Sequence, residues 1–458
     1  MSLQIFDSLT RCKRDFEPLV PGRVGMYVCG VTVYDYSHVG HARVMVVFDI
    51  VYRWLRRLGY EVRYVRNFTD VDDKIIRRAA ERGISIEQLT DEMIGAFHED
   101  ADALGCLRPT HEPRATEHMQ DMIEMIQALM AQGYAYRGAS GDILFSVRKF
   151  EHYGRLSGKN IDELEAGSRV AVDEGKRDPL DFVLWKMAKP GEPAWDSPWG
   201  RGRPGWHIEC SAMSCAHLGE TFDIHGGGMD LKFPHHENEI AQAVCANHGR
   251  FARYWMHNGF VNINTEKMSK SLGNFFTIRE VLDKFPAEVL RMLMLETHYR
   301  SPLEFSDQAM HGAKAALDRL YELKRRAAQV GLEWEAAGDL PEAFVQAMND
   351  DFNTPEALGV VFEHVRLINR ALDQGRYPKD ALQALVAMSE VLGIARQTVD
   401  AWFGVDDVDA AFIQRMIDER LQARKARDYE RADAIREQLR KRGILLEDTP
   451  SGTVWKKA

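Results

Sequence analysis

Two histidines, His38 and His41, flank Gly40 in the run His38-Val-Gly-His41. Imidazole N–H groups donate to anionic oxygens, and glycine lets a backbone come close to a ligand. Far downstream, Lys267-Met-Ser-Lys-Ser271 puts two lysines on a serine-containing loop, with Gly273 as a hinge. Mobile lysines stabilise charge developing on a leaving polyphosphate. A solvated basic loop is the other reading of this stretch taken alone. A third set is Cys29, Cys210, His235 and Glu239. Two thiolates, an imidazole and a carboxylate suit Zn²⁺. His235 and Glu239 stand four apart on an expected helix and so share a face. The spacing is not that of a zinc finger, and two buried core cysteines are the alternative. The run His236-Glu-Asn-Glu-Ile240 falls short of a metalloprotease helix, because Ile240 stands where a second histidine is needed.

These residues need elements to hold them. Val24, Met26 and Val28 alternate with Gly25, Tyr27 and Cys29, which predicts a strand ending near Cys29. From His41, the apolar residues Val44, Val47, Phe48, Val51, Leu55 and Leu58 recur at helical spacing, and Gly59 stops them. Strand, glycine loop and helix N-terminus make an anion site, since the first N–H groups are unpaired and the helix dipole favours negative charge. Tyr60–Asn67 reads as a second strand and Val71–Arg82 as a second helix. Strand and helix in alternation imply a parallel sheet with right-handed crossovers, whose ligands bind at the carboxyl ends of the strands. Cys29 and Thr69 fall at those ends.

An amphipathic helix is expected over about 114–132, and a hairpin over Tyr134–Tyr136 and Ile143–Val147. The stretch 150–205, rich in Gly, Pro and charge, reads as an insertion with a long loop. Thr221–His225 reads as a strand entering Gly226-Gly-Gly228, a helix follows over about 234–247, and Trp255–Ile263 is strand-like. From about 285 to 400 the pattern is helical throughout, as in a helix bundle. After a break near Phe403–Val408, Phe412–Gly443 is a charge-laced helical region dense in Arg and Lys, and Ile444–Leu446 with Thr453–Trp455 suits a small hairpin. The expected fold is therefore α/β: a Rossmann-like parallel-sheet domain over 1–285 with an insertion at about 114–205. A helix-bundle domain over 286–402 and a small C-terminal domain over 403–458 follow it.

Bulk properties narrow the setting. Hydrophobic residues make up 45% and charged residues 28% of 458, which is ordinary for a soluble globular chain. The first residues show no secretory leader, and no apolar run is long enough to span a bilayer. Six cysteines without a CxxC pair suit a reducing cytoplasm rather than a disulfide framework. A net charge of −10 means that any nucleic-acid partner must meet a local basic patch.

The two outer motifs, in this order at opposite ends of an α/β region, are the paired signatures of class I aminoacyl-tRNA synthetases. The chain as a whole resembles the bacterial cysteinyl-tRNA synthetase family. The matching stretches are Tyr27-Val-Cys-Gly-Val-Thr-Val-Tyr-Asp35, the His38–His41 loop, Asn67-Phe-Thr-Asp-Val-Asp-Asp-Lys74, Gly205-Trp-His-Ile-Glu-Cys-Ser-Ala-Met213, Asp223-Ile-His-Gly-Gly-Gly-Met-Asp230, Phe233-Pro-His-His-Glu-Asn-Glu239 and Glu266-Lys-Met-Ser-Lys-Ser-Leu-Gly-Asn274. Val39 replaces isoleucine in the common form of the first signature. The resemblance implies one zinc on Cys29, Cys210, His235 and Glu239. It also implies ATP with Mg²⁺, L-cysteine and tRNA(Cys) as ligands, in a cytoplasmic enzyme expected to be a monomer.

Zinc would answer a selection problem. A pocket that reads size alone separates cysteine from serine or alanine by ~1–3 kcal/mol, about 10–200-fold. A soft thiol deprotonates on zinc, whereas a hydroxyl stays a poor ligand, which implies accuracy without an editing domain. Four protein ligands ordinarily close a structural site. A substrate site must therefore expand or loosen a ligand, and Glu239 is the one expected to yield; a structural zinc is the other reading. By the same resemblance, His38, His41, Lys267 and Lys270 would stabilise the charged transition state of adenylate formation. Gly40, Gly228, Asp230 and Lys270 would meet ATP, although Asp230 could instead cap a helix. Cys29, Gly30, Thr69 and Trp206 would meet the amino acid, although Trp206 could instead be core. His207 and His236 either line the site or are structural. The C-terminal part would contact the tRNA stem and anticodon. Two rivals stand beside this reading. One is a small-molecule ligase joining activated cysteine to an amino sugar, for which residues 400–458 are superfluous. The other is a zinc-stabilised nucleotide- or RNA-binding module without catalysis, which the lysines of the 267–271 loop oppose.

Overall fold

The computed structural model describes residues 2–160, 175–249, 251–263, 266–267, 275–335, 338–404, 407–441, 444–449 and 452–457. A hairpin of β1 (Gln4–Asp7) and β2 (Cys12–Asp15) precedes the sheet and goes unmarked by the periodicity. Then come β3 (Arg23–Thr32), α1 (Val39–Arg57), β4 (Glu61–Thr69) and α2 (Asp73–Arg82), close to expectation. Both faces of β3 are buried. Val24, Met26 and Val28 join the core around α1, while Tyr27 and Cys29 face a second core. Two buried faces are what a parallel sheet requires. Gly59 follows α1 at φ +91°, a left-handed turn that suits glycine and sends the chain back into β4.

Next come α3 (Ile86–Ala103), a 3₁₀ turn at Ala115–His118 and α4 (Met119–Ala131). The expected hairpin forms as β5 (Ala135–Arg137) and β6 (Ile143–Phe145). The stretch 150–205, of which 161–174 lie outside the described residues, contains strands. It supplies β7 (Phe182–Met187) and β8 (Gly202–Pro204), which extend the hairpin into a four-stranded antiparallel sheet. Asp181 organises it from within, accepting from the Tyr136 hydroxyl at 2.6 Å and the Val147 N–H at 2.9 Å.

The chain then returns to the main sheet through α5 (Trp206–Leu218), β9 (Phe222–Gly228), a wide turn over Lys232–His236, α6 (Glu237–Ala246) and β10 (Ala252–Asn258). The sheet has the order β10-β9-β3-β4, all parallel. The expected strand Trp255–Ile263 is in fact broken. β11 (Val261–Ile263) leaves for a small sheet with β12 (Glu266–Lys267) and β13 (Leu303–Glu304), the latter coming after α7 (Ile278–Leu282) and α8 (Ala287–Leu295).

Helices α9 (Asp307–Gln329), α10 (Glu342–Asn349), α11 (Thr354–Asp373), α12 (Lys379–Leu392) and α13 (Val399–Phe403) form the helical part. One apolar core runs without a break from the sheet into these helices. Fully buried Arg291 crosses that junction, donating to Asp49 of α1 at 2.5 Å and to the Leu392 carbonyl at 2.7 Å. The last elements are α14 (Asp407–Lys425), α15 (Tyr429–Lys441), β14 (Ile444–Thr449) and β15 (Gly452–Lys457), the hairpin pairing as expected. They carry a small core of their own around Ile413, Ile417, Ile435 and Leu439. Residues 403–458 hold twelve Lys and Arg against eleven Asp and Glu, so their basic character is local, not net.

Candidate active site and metal centre

The end of β3 meets the start of α1 at the histidine motif. His38 is the N-cap of α1, and its Nδ1 accepts from the His41 N–H at 3.3 Å. His41 Nδ1 accepts in turn from the His38 N–H at 3.1 Å. The rings stack with centroids 3.7 Å apart. A neutral imidazole that accepts at Nδ1 carries its proton at Nε2, so the cap fixes both rings in the tautomer that donates from Nε2. The segment following Asn274 is pinned to this motif. Val39 N donates to Phe276 O at 3.0 Å, and Ile278 N to Ser37 O at 2.8 Å. On the other side, Lys267 pairs with Asn262 in β12. Residues 268–274, Lys270 among them, lie outside the described residues; the described chain before them ends in β12, and the chain after them pairs beside His38.

Behind the end of β3 is a fully buried cluster. Cys29, Cys210, His235 and Glu239 bring one ligand atom each within 4.8 Å of one another. Glu239 Oε1 lies 3.3 Å from Cys29 Sγ and 3.1 Å from His235 Nε2, edges that suit a tetrahedral ion at bond lengths of about 2.0–2.3 Å. A second set, Cys29, His225, His236 and Glu239, meets the same limit and shares two members. Four elements build the cluster: β3, α5, the wide turn and α6. His235 is oriented through its other nitrogen, which meets His207 Nδ1 at 2.9 Å. Burial pushes the thiols of Cys29 and Cys210 up, and pushes His235 well below its usual range. Glu239 Oε2 makes no hydrogen bond of good geometry among the described residues, although His225 Nε2 lies 3.3 Å away. Two thiols and a carboxylate packed together and shielded from water are a donor set for a cation, which would favour their charged forms and the neutral imidazole together.

A cavity of about 390 Å³ opens in front of the cluster, lined by Cys29, Gly30, His38, Gly40, His41, Trp206, Gly228 and Asp230 among others. Trp206 is not core: it is 39% exposed, and its ring stacks on His235 at 4.1 Å. Cys29 and Trp206 thus connect the cavity to the metal candidates. Gly30 sits at a bulge of β3, where its N–H donates to Asn67 Oδ1 at 2.9 Å and a Cβ would fall 1.6 Å from the Asn67 carbonyl oxygen. Gly228 packs against Asp230, whose Oδ1 a Cβ would approach to 2.4 Å. Thr69 is the exception. It is buried, and its hydroxyl donates to Glu209 Oε2 at 2.6 Å instead of lining the cavity. Of the two uncertain histidines, His207 is a half-buried partner of His235, and His236 is fully buried and bonds His257 at 2.8 Å.

The sequence reading missed part of the lining. Tyr34, Tyr36, Arg66, Lys74 and Phe97 face the cavity from the α2–α3 side, and Asn258–Val261 from the end of β10. Asn67, which holds Gly30 in place, lies two residues before Thr69 and shares its face of β4, near the strand end that pointed to Thr69. Arg66 and Phe97 stack at 4.7 Å from distant segments, and nothing local announces that pairing.

Solved structures with this architecture are synthetases. The fold matches Mycobacterium tuberculosis methionyl-tRNA synthetase bound to methionyl-adenylate with a TM-score of 0.58 at 14% identity, over 85% of this chain and 95% of that one. It also matches the LeuRS ternary complex of Agrobacterium radiobacter K84 with a TM-score of 0.59 at 11% identity, over 85% of this chain and 86% of that one. The parallel sheet, with the histidine motif at its carboxyl edge, defines the class I aminoacyl-tRNA synthetase fold.

Sequence comparison narrows the class. Residues 15–315 match the family described as tRNA synthetases class I (C) catalytic domain, 343–396 a DALR domain and 410–455 a cysteinyl-tRNA ligase anticodon binding domain. The cysteine–tRNA ligase of Thioalkalivibrio sulfidiphilus is 57% identical over 99% of this chain and all of the relative, and that of Geobacter sulfurreducens is 54% identical over the full length of both. The chain belongs to the cysteine–tRNA ligase family.

Proposed function

We propose that this enzyme activates L-cysteine with ATP as cysteinyl-adenylate and passes the cysteinyl group to tRNA(Cys), with a zinc ion on Cys29, Cys210, His235 and Glu239 selecting the substrate thiol. The observation that carries the metal part is the convergence of those four ligand atoms directly behind the Cys29 and Trp206 wall of the cavity. This set is preferred to the one with His225 and His236 because it offers two thiolates and adjoins the cavity through Trp206. Bound there, zinc would supply a soft Lewis acid that accepts a thiol and leaves a hydroxyl unbound.

The chain's own groups have separate tasks. In the activating step the cysteine carboxylate oxygen bonds to the α-phosphorus of ATP, and the bond to the departing pyrophosphate breaks. The Nε2 donors of His38 and His41, together with the start of α1, stabilise charge on the phosphates. Lys267 and Lys270 bring positive charge to the leaving pyrophosphate, with Mg²⁺ accompanying ATP. Gly40, Gly228 and Asp230 hold the nucleotide. Gly30 keeps the backbone flush against the amino acid, and Trp206 closes its side. Thr69 acts indirectly, by fixing Glu209 in α5 next to Cys210. No side chain serves as a nucleophile, so positioning and electrostatics carry the rate. The segments that match the DALR and anticodon-binding families would hold the tRNA.

Metal analysis tests the quartet. Wild-type protein is expected to hold one zinc per chain, Cys210→Ser and His235→Ala to lose it, and His236→Gln to keep it. Retention of zinc by Cys210→Ser and His235→Ala, with loss in His236→Gln, would transfer the site to the other ligand set.

A further inference from the structure

Tyr27 stands one pleat before Cys29 on the same face of β3, aligned with His225 of β9. Its side chain is fully buried, and its ring stacks on that of His225 at 5.3 Å. Its hydroxyl makes no hydrogen bond of good geometry among the described residues. Phenylalanine would fill the same space without stranding a polar atom, so the hydroxyl calls for a purpose. The candidate partner is the sulfur of Cys210, which lies beside it. The Cys210 thiol points at Asn67 Oδ1, 3.6 Å away. That oxygen already accepts the Gly30 N–H, so Asn67 is held as an acceptor. A metal ion takes Cys210 as thiolate, and a thiolate has no proton to offer Asn67. It needs a donor instead, and the Tyr27 hydroxyl, buried in the same core, is one.

Resting on the zinc reading above, we infer that Tyr27 is a positioning residue of the metal centre, whose hydroxyl donates to the Cys210 thiolate in the loaded enzyme. That hydrogen bond withdraws charge from the sulfur. The ion is left more electrophilic toward the fourth or fifth ligand, here the substrate thiol. Groups of this kind set ligand basicity and metal affinity in other sites.

The test uses full-length protein loaded with Co²⁺, read by its sulfur-to-metal charge-transfer band. Wild type should show the band. Tyr27→Phe should keep one metal per chain, shift the band to lower energy, and raise KM for cysteine by about tenfold with KM for ATP unchanged. A band in wild type with no shift and no KM change in Tyr27→Phe would overturn the inference and leave the quartet standing. Absence of the band in wild type would overturn the thiolate quartet and Tyr27's role with it. Should Tyr27→Phe misfold, difluorotyrosine at position 27, a stronger donor of similar size, should move the band to higher energy; an unmoved band would again overturn the inference.

Discussion

At the scale of single residues, the histidine motif combines two duties that a substitution can separate. The Nδ1 atoms of His38 and His41 cap α1, and the tautomer this sets carries the ring proton at Nε2. Asparagine places an oxygen near the position of Nδ1 and is itself a good N-cap, but it has nothing at Nε2. His38→Asn should therefore keep its unfolding midpoint and slow cysteine-dependent ATP–pyrophosphate exchange by roughly 10²–10³-fold. Exchange at the wild-type rate would remove the proposed role. Residue types alone were enough to nominate Cys29, Cys210, His235 and Glu239, because few other combinations offer so soft a donor set. Thr69 was nominated on a weaker signal. A threonine at a strand end is a common binding group, and only the fold reveals that Glu209 is buried at its side and takes its hydroxyl.

At the scale of elements, the periodicity of β3 and α1 was legible because each buries a regular set of apolar side chains. The sheet of the insertion was not. β8 is three residues long and contains Gly202 and Pro204, and β7 is separated from β6 by a long connection. Such strands are held by long-range groups such as Asp181, which leave no local pattern. Helix α5 illustrates how a half-buried histidine couples an element to pH. Burial, with His118 and His111 nearby, lowers the pKa of His217 on α5 to about 4. In the unfolded chain the same group titrates near about 6.5. As pH falls the unfolded state takes up the proton first, so this contribution to stability is present above about 6.5 and is lost between there and 4. His217→Gln should thus shrink the drop in the urea midpoint between pH 7 and pH 5. An undiminished drop would contradict the assignment.

At the scale of the molecule, the sheet and the helices that follow share one core. Arg43 reinforces it, donating from α1 to the Thr297 carbonyl at 3.2 Å and the His298 carbonyl at 3.0 Å. The last elements have a separate core. Composition separated the last segment by its charge but could not show that the core runs through residue 285, since helical periodicity does not say what a helix packs against. Removing residues 403–458 should leave pyrophosphate exchange within about twofold of wild type and lower tRNA charging by at least about tenfold, because that segment carries a core of its own and its proposed partner is the polyanion. Equal charging by the truncated form would strip that segment of its proposed tRNA role. With a net charge of −10, the rest of the surface offers the tRNA no general attraction.

The central claim is that a metal-held thiol, rather than pocket size, selects the amino acid, and one ratio tests it most directly. It is kcat/KM for labelled cysteine over that for serine in ATP-dependent charging of tRNA by the wild-type enzyme. The account predicts transfer of cysteine with a ratio far above the roughly 200-fold that size discrimination can reach. A ratio at or below that ceiling, or no transfer of cysteine to tRNA at all, would contradict it.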